Sequence, residues 1–175
     1  MSSTEMQGLY QQVILDHAKE RHGFGLAATA DAHSHQVNPT CGDEITLQVQ
    51  LDGGGDGRDG DGIGGSGSGG GDGIGSGSGS GTIRSIGWEG QGCAISQASA
   101  SLLSDLAPGL TPAELSERID VFRTAMRSKG TVEPDEELLG DAVVLGGASR
   151  YVARVKCAML AWVAAEEALL QLDAR

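Results

Sequence analysis

Three cysteines in separate local contexts are the residues of this sequence most suited to chemistry. Cys41 lies in the stretch Asn-Pro-Thr-Cys-Gly-Asp, Cys93 follows Gly-Gln-Gly, and Cys157 follows Arg-Val-Lys. An odd number of cysteines leaves one thiol over in any set of disulfides, whereas three thiolates and the Asp43 carboxylate would make a four-ligand metal site. The intervals between the cysteines match no short zinc-finger pattern, so spacing alone is weak support for a metal.

The residues around each thiol indicate how it is positioned. Gly42 can adopt backbone angles closed to other residues, which would let Cys41 and Asp43 turn toward one ion. We expect Gly90 and Gly92 to give similar freedom where a strand leads into a helix, with Cys93 at the helix N-terminus, where the dipole lowers a thiol pKa. Cys157 is expected in the first turn of the last helix, so that deprotonation is favoured at all three thiols. From its apolar surroundings alone, Cys157 could equally be a small buried core residue.

The hydrophobic pattern predicts the elements that hold these residues. Polar and apolar residues alternate in two clear strands and less clearly in a third stretch, and the later part of the chain is helical. Strands followed by helices are typical of an α+β domain, here a small antiparallel sheet of about three strands with helices packed on one face. The predicted strands are 33–37, 44–51 and 82–88, and the predicted helices are 4–21, 93–106, from Thr111 to Gly130, 136–145 and 155–172.

A tract of Gly, Ser and Asp separates the two clear strands, at about 52–81. This composition buries little apolar surface, so we expect a disordered hairpin loop within a single domain that spans residues 1–175.

The overall charge excludes some classes of partner. The net charge is −12 and the isoelectric point is near 4.5, which disfavours nucleic acid and anionic membranes. No run of eighteen apolar residues appears, and the polar segment Met1–Glu5 has no secretion-signal pattern. The sequence therefore predicts a cytoplasmic protein whose thiols stay reduced, with no nucleic-acid or membrane partner.

Four segments together carry a family resemblance. They are Asn38–Asp43, the stretch from Gly90 to Ser101 with its pattern Gly-x-Gly-Cys-x-Ile-Ser-x-Ala-Ser-Ala-Ser, Ala153–Cys157, and Leu9–His17 with its pattern Leu-Tyr-x-x-Val-Ile-x-Asp-His. These segments resemble the SufU branch of the IscU/NifU-type iron-sulfur cluster assembly scaffold family, over nearly the whole chain. The long interval between Cys93 and Cys157, and Lys156 where IscU-type scaffolds carry a histidine, resemble the SufU branch in particular.

This resemblance implies an IscU/SufU-like fold and a zinc ion held by Cys41, Asp43, Cys93 and Cys157. It implies a sulfurtransferase-like acceptor that takes persulfide sulfur from a SufS-type cysteine desulfurase, with Cys41 as the sulfur acceptor, and passes it to downstream iron-sulfur assembly proteins. Zinc would keep the thiols deprotonated. Arg154 or Lys156 would offset the excess negative charge of the ligands from just outside them, although Lys156 could equally be a solvated lysine at the start of the helix.

Two other functions stay open. The same Cys and Asp residues could bind iron or a transient [2Fe-2S] cluster, in a scaffold that assembles and transfers that cluster. Alternatively, the chain is a noncatalytic module whose zinc is structural, although closed structural sites usually use Cys and His rather than a carboxylate. The four histidines, His17, His22, His33 and His35, form no ligand-spaced pair within the motifs, and surface or capping roles are expected for them.

Overall fold

The computed structural model describes residues 3–52 and 81–174 and shows the α+β fold that the sequence predicts. Three strands come first and most of the helices follow them. In chain order the elements are α1 (Ser3–Glu20), β1 (Ala32–Asn38), β2 (Asp43–Leu51), β3 (Ile83–Gln91), α2 (Ala94–Leu106), α3 (Pro112–Arg127), α4 (Glu136–Leu139), a 3-10 segment (Gly140–Arg150) and α5 (Val152–Asp173).

The sheet is antiparallel, with strands in the order β1-β2-β3. Asn38 lies opposite Asp43 in the first pairing, and Leu47 lies opposite Trp88 in the second. The alternation predicted for β2 is present, with Ile45, Leu47 and Val49 buried on one side. Burial of that side fixes the register, because a slip of one residue would turn these side chains toward solvent.

Helices cover the apolar side of the sheet. Helix α5 contacts both β1 and β2, while α2 contacts β3 and α5. The Trp162 ring of α5 stacks on the Phe122 ring of α3 with 4.0 Å between the ring centroids. On the other side, the side chains of Gln48 and Gln50 hydrogen-bond to backbone groups of the segment between α1 and β1. The prediction of helices packed on one face of the sheet is confirmed.

Most elements lie close to their predicted positions, although β3 continues to Gln91 rather than ending at residue 88. Thr111 caps α3 by accepting a hydrogen bond from Glu114 N at 3.1 Å, as its sequence signature predicts. The predicted helix 136–145 is wrong, because α4 ends at Leu139 and the following 3-10 turns continue through Gly146. A side chain at Gly146 would lie 3.0 Å from Pro134 Cγ, so this glycine permits close packing rather than ending a helix.

The last helix also differs from its prediction. Helix α5 begins at Val152 rather than near residue 155, and its N-cap residue Tyr151 makes no side-chain capping bond. A capping side chain is the usual sign of a helix start in a sequence. Because Tyr151 provides none, the sequence does not mark the start of α5.

The glycine-rich tract falls almost entirely outside the part of the chain that the structure describes. The disordered loop expected at 52–81 therefore stays a prediction, as does the single-domain assignment. At the two ends of the tract, Asp52 N donates to Thr82 O at 2.8 Å, and β2 and β3 pair up to this point. Within residues 3–52 and 81–174, no helix is long and apolar enough to cross a membrane.

Candidate metal centre

The turn between β1 and β2 presents Cys41. Asn38 holds this turn, because its backbone carbonyl accepts from Gly42 N at 2.8 Å and its side-chain oxygen accepts from Thr40 N at 3.1 Å. Gly42 has a φ of +77°, which side chains other than glycine adopt only with strain. The predicted need for glycine at this position is confirmed. Cys41 is exposed at the turn, and Asp43 follows as the first residue of β2.

Asp43 is buried, with only 5% of its surface exposed. Its Oδ2 atom is enclosed and has no hydrogen-bond partner among the described residues. Burial raises the pKa of this carboxyl, but hydrogen bonds with Cys157, Cys41 and Cys93 outweigh that effect and hold the pKa below its usual value. The carboxylate is therefore surrounded by three thiols while one of its oxygens lacks a partner.

Cys93 is the N-cap residue of α2, as predicted, and its side chain is exposed. Its Sγ lies 3.9 Å from Ser96 Oγ. The expectation that Gly90 and Gly92 supply unusual backbone angles is wrong, since neither has a positive φ. Both instead permit close packing: a side chain at Gly90 would lie 2.3 Å from Glu44 O, and one at Gly92 would lie 2.9 Å from Asp43 Cγ.

Cys157 lies in α5 and is buried, with 8% of its surface exposed. The prediction that it lies in the first helical turn is wrong, because α5 starts five residues earlier, at Val152. Burial raises the pKa of its thiol well above the usual value, and hydrogen bonds with Cys93 and Asp43 raise it further. The expectation that deprotonation is favoured at every thiol without metal is therefore wrong for Cys157.

The fold brings the three cysteines and Asp43 to one place. The potential ligand atoms of Cys41, Asp43 and Cys157 all lie within 4.8 Å of one another, and the Cys41 and Cys157 sulfur atoms are 3.9 Å apart. Cys93 Sγ is outside this closest group, yet its thiol is near enough to lower the pKa of Asp43 and to raise the pKa of Cys157. The three elements that meet here are the β1–β2 turn, the start of α2 and the second turn of α5.

Three properties of this cluster fit a zinc ion. The partnerless Oδ2 of Asp43 is a buried oxygen that a cation would satisfy. The separation of 3.9 Å between Cys41 Sγ and Cys157 Sγ is close to the ligand–ligand distance of about 3.8 Å given by tetrahedral zinc with Zn–S bonds of about 2.3 Å. Three thiols and one carboxylate are donors that zinc accepts.

The two predicted basic neighbours lie in different surroundings. Lys156 Nζ is 3.4 Å from Thr40 Oγ1, so its charge lies beside the turn that carries Cys41. The guanidinium of Arg154 is exposed and lies over the Tyr151 ring, with its central carbon 4.8 Å from the ring centroid. Of the two, Lys156 is the residue whose contact links it to the cysteine cluster.

A second cluster of potential ligands was not predicted from the sequence. His17 is buried, and its imidazole comes together with His22 and Asp105 at the end of α1. The two histidines end α1 and begin the next turn, whereas Asp105 is far along the chain in α2. The motif around His17 marked it as part of the family resemblance, but nothing in the sequence linked it to Asp105.

Comparison with known proteins identifies the family. The pattern of the NifU-like N terminal domain matches residues 9–78 and 77–158. The chain belongs to this family. It is 30% identical over 97% of its length to the "Iron-sulfur cluster assembly scaffold protein IscU" of Streptococcus pyogenes serotype M1, covering 87% of that protein. It is 31% identical over 94% of its length to the "Zinc-dependent sulfurtransferase SufU" of Bacillus subtilis (strain 168), covering 92% of it.

A solved structure agrees with this assignment. The crystal structure of a protein named as an iron-sulfur cluster assembly scaffold for the SUF system, from Fervidobacterium islandicum AW-1, superposes with a TM-score of 0.67. Its sequence is 28% identical, and the match covers 93% of this chain and 98% of that one. The resemblance to the SufU-type IscU/NifU-like family and to its fold is therefore confirmed.

Proposed function

We propose that this NifU-like protein is a zinc-dependent acceptor of persulfide sulfur in iron-sulfur cluster assembly. The observation that carries the proposal is the meeting of Cys41, Cys93 and Cys157 around the buried carboxylate of Asp43, one oxygen of which has no hydrogen-bond partner among the described residues. The name of the Bacillus subtilis relative, a zinc-dependent sulfurtransferase, supports this function.

Cys41, Asp43, Cys93 and Cys157 would hold the zinc. When bound, zinc supplies a charge that keeps its thiol ligands deprotonated at neutral pH. This matters most for Cys157, whose burial otherwise holds it as a thiol. Three thiolates and a carboxylate outweigh the charge of a zinc ion, and the ammonium of Lys156 beside the β1–β2 turn would offset part of the excess.

Cys41 is the sulfur acceptor in this proposal because it is accessible. It lies exposed on a turn, so a partner protein can reach its sulfur atom without displacing a helix. Cys157 is buried beneath the same turn and serves as a ligand rather than as an acceptor. Cys93 is also exposed, which makes it the internal comparison for any test of Cys41.

The transfer step conserves atoms and electrons. A SufS-type cysteine desulfurase carries a persulfide, Cys–S–SH, on its own cysteine. The Cys41 thiolate attacks the terminal sulfur of that persulfide, a new S–S bond forms on Cys41, and the S–S bond of the desulfurase breaks. The desulfurase cysteine leaves as a thiolate, so the reaction is an exchange that needs no added oxidant or reductant. The Cys41 persulfide would then supply sulfur to downstream iron-sulfur assembly proteins.

Mass spectrometry with metal analysis tests this proposal. Purified protein is assayed for zinc, incubated with desulfurase and cysteine, and examined by peptide mapping for one added sulfur atom. We expect about one zinc per chain and the added sulfur on Cys41, with Cys41→Ser preventing transfer. Cys93→Ser, examined at matched zinc content, is the comparison that separates loss of the acceptor from loss of metal. Unchanged sulfur uptake by Cys41→Ser would exclude Cys41 as the acceptor.

A second candidate is a scaffold that assembles a [2Fe-2S] cluster on the same four residues. The names of the Streptococcus and Fervidobacterium proteins favour it, since both are called scaffolds. Anaerobic reconstitution with iron and sulfide separates the two functions. A cluster that forms and transfers to an acceptor protein without any need for zinc would favour the scaffold. Zinc binding with neither sulfur uptake nor cluster formation would favour a structural site.

A further inference from the structure

The end of α1 and the last turn of α2 form a second group of potential metal ligands. One nitrogen from each imidazole of His17 and His22 and one carboxylate oxygen of Asp105 all lie within 4.8 Å of one another. The two rings meet edge to face with 4.9 Å between their centroids. His17 is 8% exposed, whereas His22 and Asp105 are progressively more open to solvent, so the group is anchored in the protein and reachable from outside.

Hydrogen bonds and close packing hold the polypeptide around His22. Ser101 Oγ accepts a hydrogen bond from the backbone N–H of His22 at 2.9 Å, and the carbonyl of His22 accepts one from Trp88 Nε1 at 2.8 Å. Gly23 packs so closely on α2 that an added Cβ would lie 2.4 Å from Ser104 Oγ. The residues that would bind a ligand are therefore already positioned, which lowers the entropic cost of binding.

Each histidine has one ring nitrogen engaged by an outer partner. Nδ1 of His17 lies 2.8 Å from Ser101 Oγ, and Nε2 of His22 lies 2.8 Å from Glu20 Oε2. In metal-binding histidines, the ring nitrogen that does not bind the metal characteristically hydrogen-bonds to a hydroxyl or carboxylate. This partner fixes the ring and strengthens it as a ligand. Nδ1 of His22 is 2.7 Å from Asp105 Oδ2, and a metal would replace the hydrogen shared by these two atoms.

We propose that His17, His22 and Asp105 form a second binding site, for a divalent transition metal such as zinc, with Glu20 and Ser101 as the outer partners of the two imidazoles. Two imidazoles and a carboxylate form the ligand set that suits zinc, cobalt or nickel rather than magnesium or calcium, which take mainly oxygen ligands. The site goes beyond the proposed sulfur-transfer function and does not depend on it.

This site is separate from the cysteine cluster. Cys93 caps the start of α2 and Asp105 lies in its last turn. Twelve residues of helix at 1.5 Å each place them about 18 Å apart along the helix axis. The two sites also differ in chemistry, since one offers sulfur and the other nitrogen and oxygen.

Cobalt distinguishes the two sites by spectroscopy. Protein already carrying zinc at the cysteine cluster is titrated with Co²⁺ and followed by visible absorption, while isothermal titration calorimetry measures binding of further Zn²⁺. We expect ligand-field bands of cobalt without the thiolate-to-cobalt charge-transfer band, because nitrogen and oxygen are the ligands. Cobalt bound only with such a charge-transfer band, without the bands of nitrogen and oxygen ligands, would place all of the metal on the cysteines and would overturn the assignment.

The metal affinities of two variants that each lose one negative charge test whether Asp105 is a ligand. Asp105→Asn removes a ligand, whereas Asp16→Asn removes an exposed carboxylate of α1 outside the cluster. We expect Asp105→Asn to weaken this binding at least tenfold and Asp16→Asn to change it less than twofold, with Glu20→Gln between them. Asp105 is half exposed, so the substitution is compatible with folding, which a thermal unfolding scan of each variant verifies. Absence of further metal binding by the unmodified protein, or equal affinities in the two Asn variants, would overturn the proposal.

Discussion

Gly92 lies directly against Asp43, at a distance that leaves no room for a side chain at position 92 unless a neighbouring side chain moves. An added Cβ would lie 2.9 Å from Asp43 Cγ and 2.3 Å from Ser96 Oγ. Contacts this short force a neighbour to move, and here the neighbours are the Ser96 hydroxyl and the Asp43 carboxylate of the cysteine cluster. The absence of a side chain before Cys93 therefore leaves room for both groups in their present positions.

Gly92→Ala should weaken zinc binding while leaving the fold intact. The methyl group would crowd Ser96 Oγ and the Asp43 carboxylate, and displacement of that carboxylate should lower the affinity for zinc about tenfold, the smaller end of the effects seen when a ligand loses its support. Competition with a chromogenic chelator measures the affinity. Gly147→Ala is the matched control, because an added Cβ at Gly147 meets no atom within 4 Å. Equal affinities for the two variants would contradict this role of Gly92.

Asp43→Ala should reduce zinc affinity much more than it reduces the stability of the metal-free protein. Burial of the Asp43 carboxylate costs desolvation free energy, and one of its oxygens has no hydrogen bond to offset that cost, so its loss should destabilise the fold less than loss of an apolar core side chain. Leu47→Ala is the comparison, because truncation of this fully buried residue should cost about 2–5 kcal/mol of unfolding free energy. Urea unfolding in the presence of a chelator measures both. Unchanged zinc affinity in Asp43→Ala would remove Asp43 from the site.

Local patterns in the sequence predicted the fold because they express local physics. The alternation in Glu44–Leu51 and the capping signature at Thr111 can be recognised from neighbouring residues alone. The start of α5 was misplaced because Tyr151 offers no capping side chain, and this error put Cys157 in the wrong turn. The burial of Cys157, and hence its raised pKa, depends on what packs over it, which no local pattern records.

The site residues could be predicted from sequence motifs, but the close packing around them could not be predicted in this way. Gly90 and Gly92 were expected to supply backbone freedom, whereas the structure uses them for close approach to β2. In the same way, His17 was visible within a motif, but its proximity to Asp105 arises from the packing of α1 on α2. Contacts between distant segments are properties of the folded chain, so a single sequence leaves them open.

Ser99→Ala should destabilise the protein through one buried hydrogen-bond chain. Trp162 Nε1 donates to Ser99 Oγ at 2.8 Å, and Ser99 Oγ donates to Ala158 O at 2.6 Å, beside Cys157. Removal of the hydroxyl leaves the buried indole N–H without this partner, so we expect a loss of about 1–3 kcal/mol in unfolding free energy. The measurement is urea unfolding of the metal-free protein.

Ser116→Ala is the control for Ser99→Ala, because Ser116 is exposed on α3. Its effect should stay within about 0.5 kcal/mol. If both serine variants unfold at the same urea concentration, the chain from Trp162 to Ala158 does not contribute to stability.

Lys156→Gln should slow sulfur uptake from the desulfurase without preventing it. The Lys156 ammonium lies 3.4 Å from Thr40 Oγ1, in the turn that presents Cys41, so it lowers the negative potential around the proposed acceptor. Loss of a solvent-screened charge interaction of about 0.7–1.4 kcal/mol corresponds to a rate about three to ten times lower at low salt. The difference should shrink as salt is added, because ions screen the interaction. Rapid-quench measurement of sulfur uptake, with Lys19→Gln on α1 as the charge-matched control, gives these rates. Equal rates for the two lysine variants at low salt would show that Lys156 acts only as a surface charge.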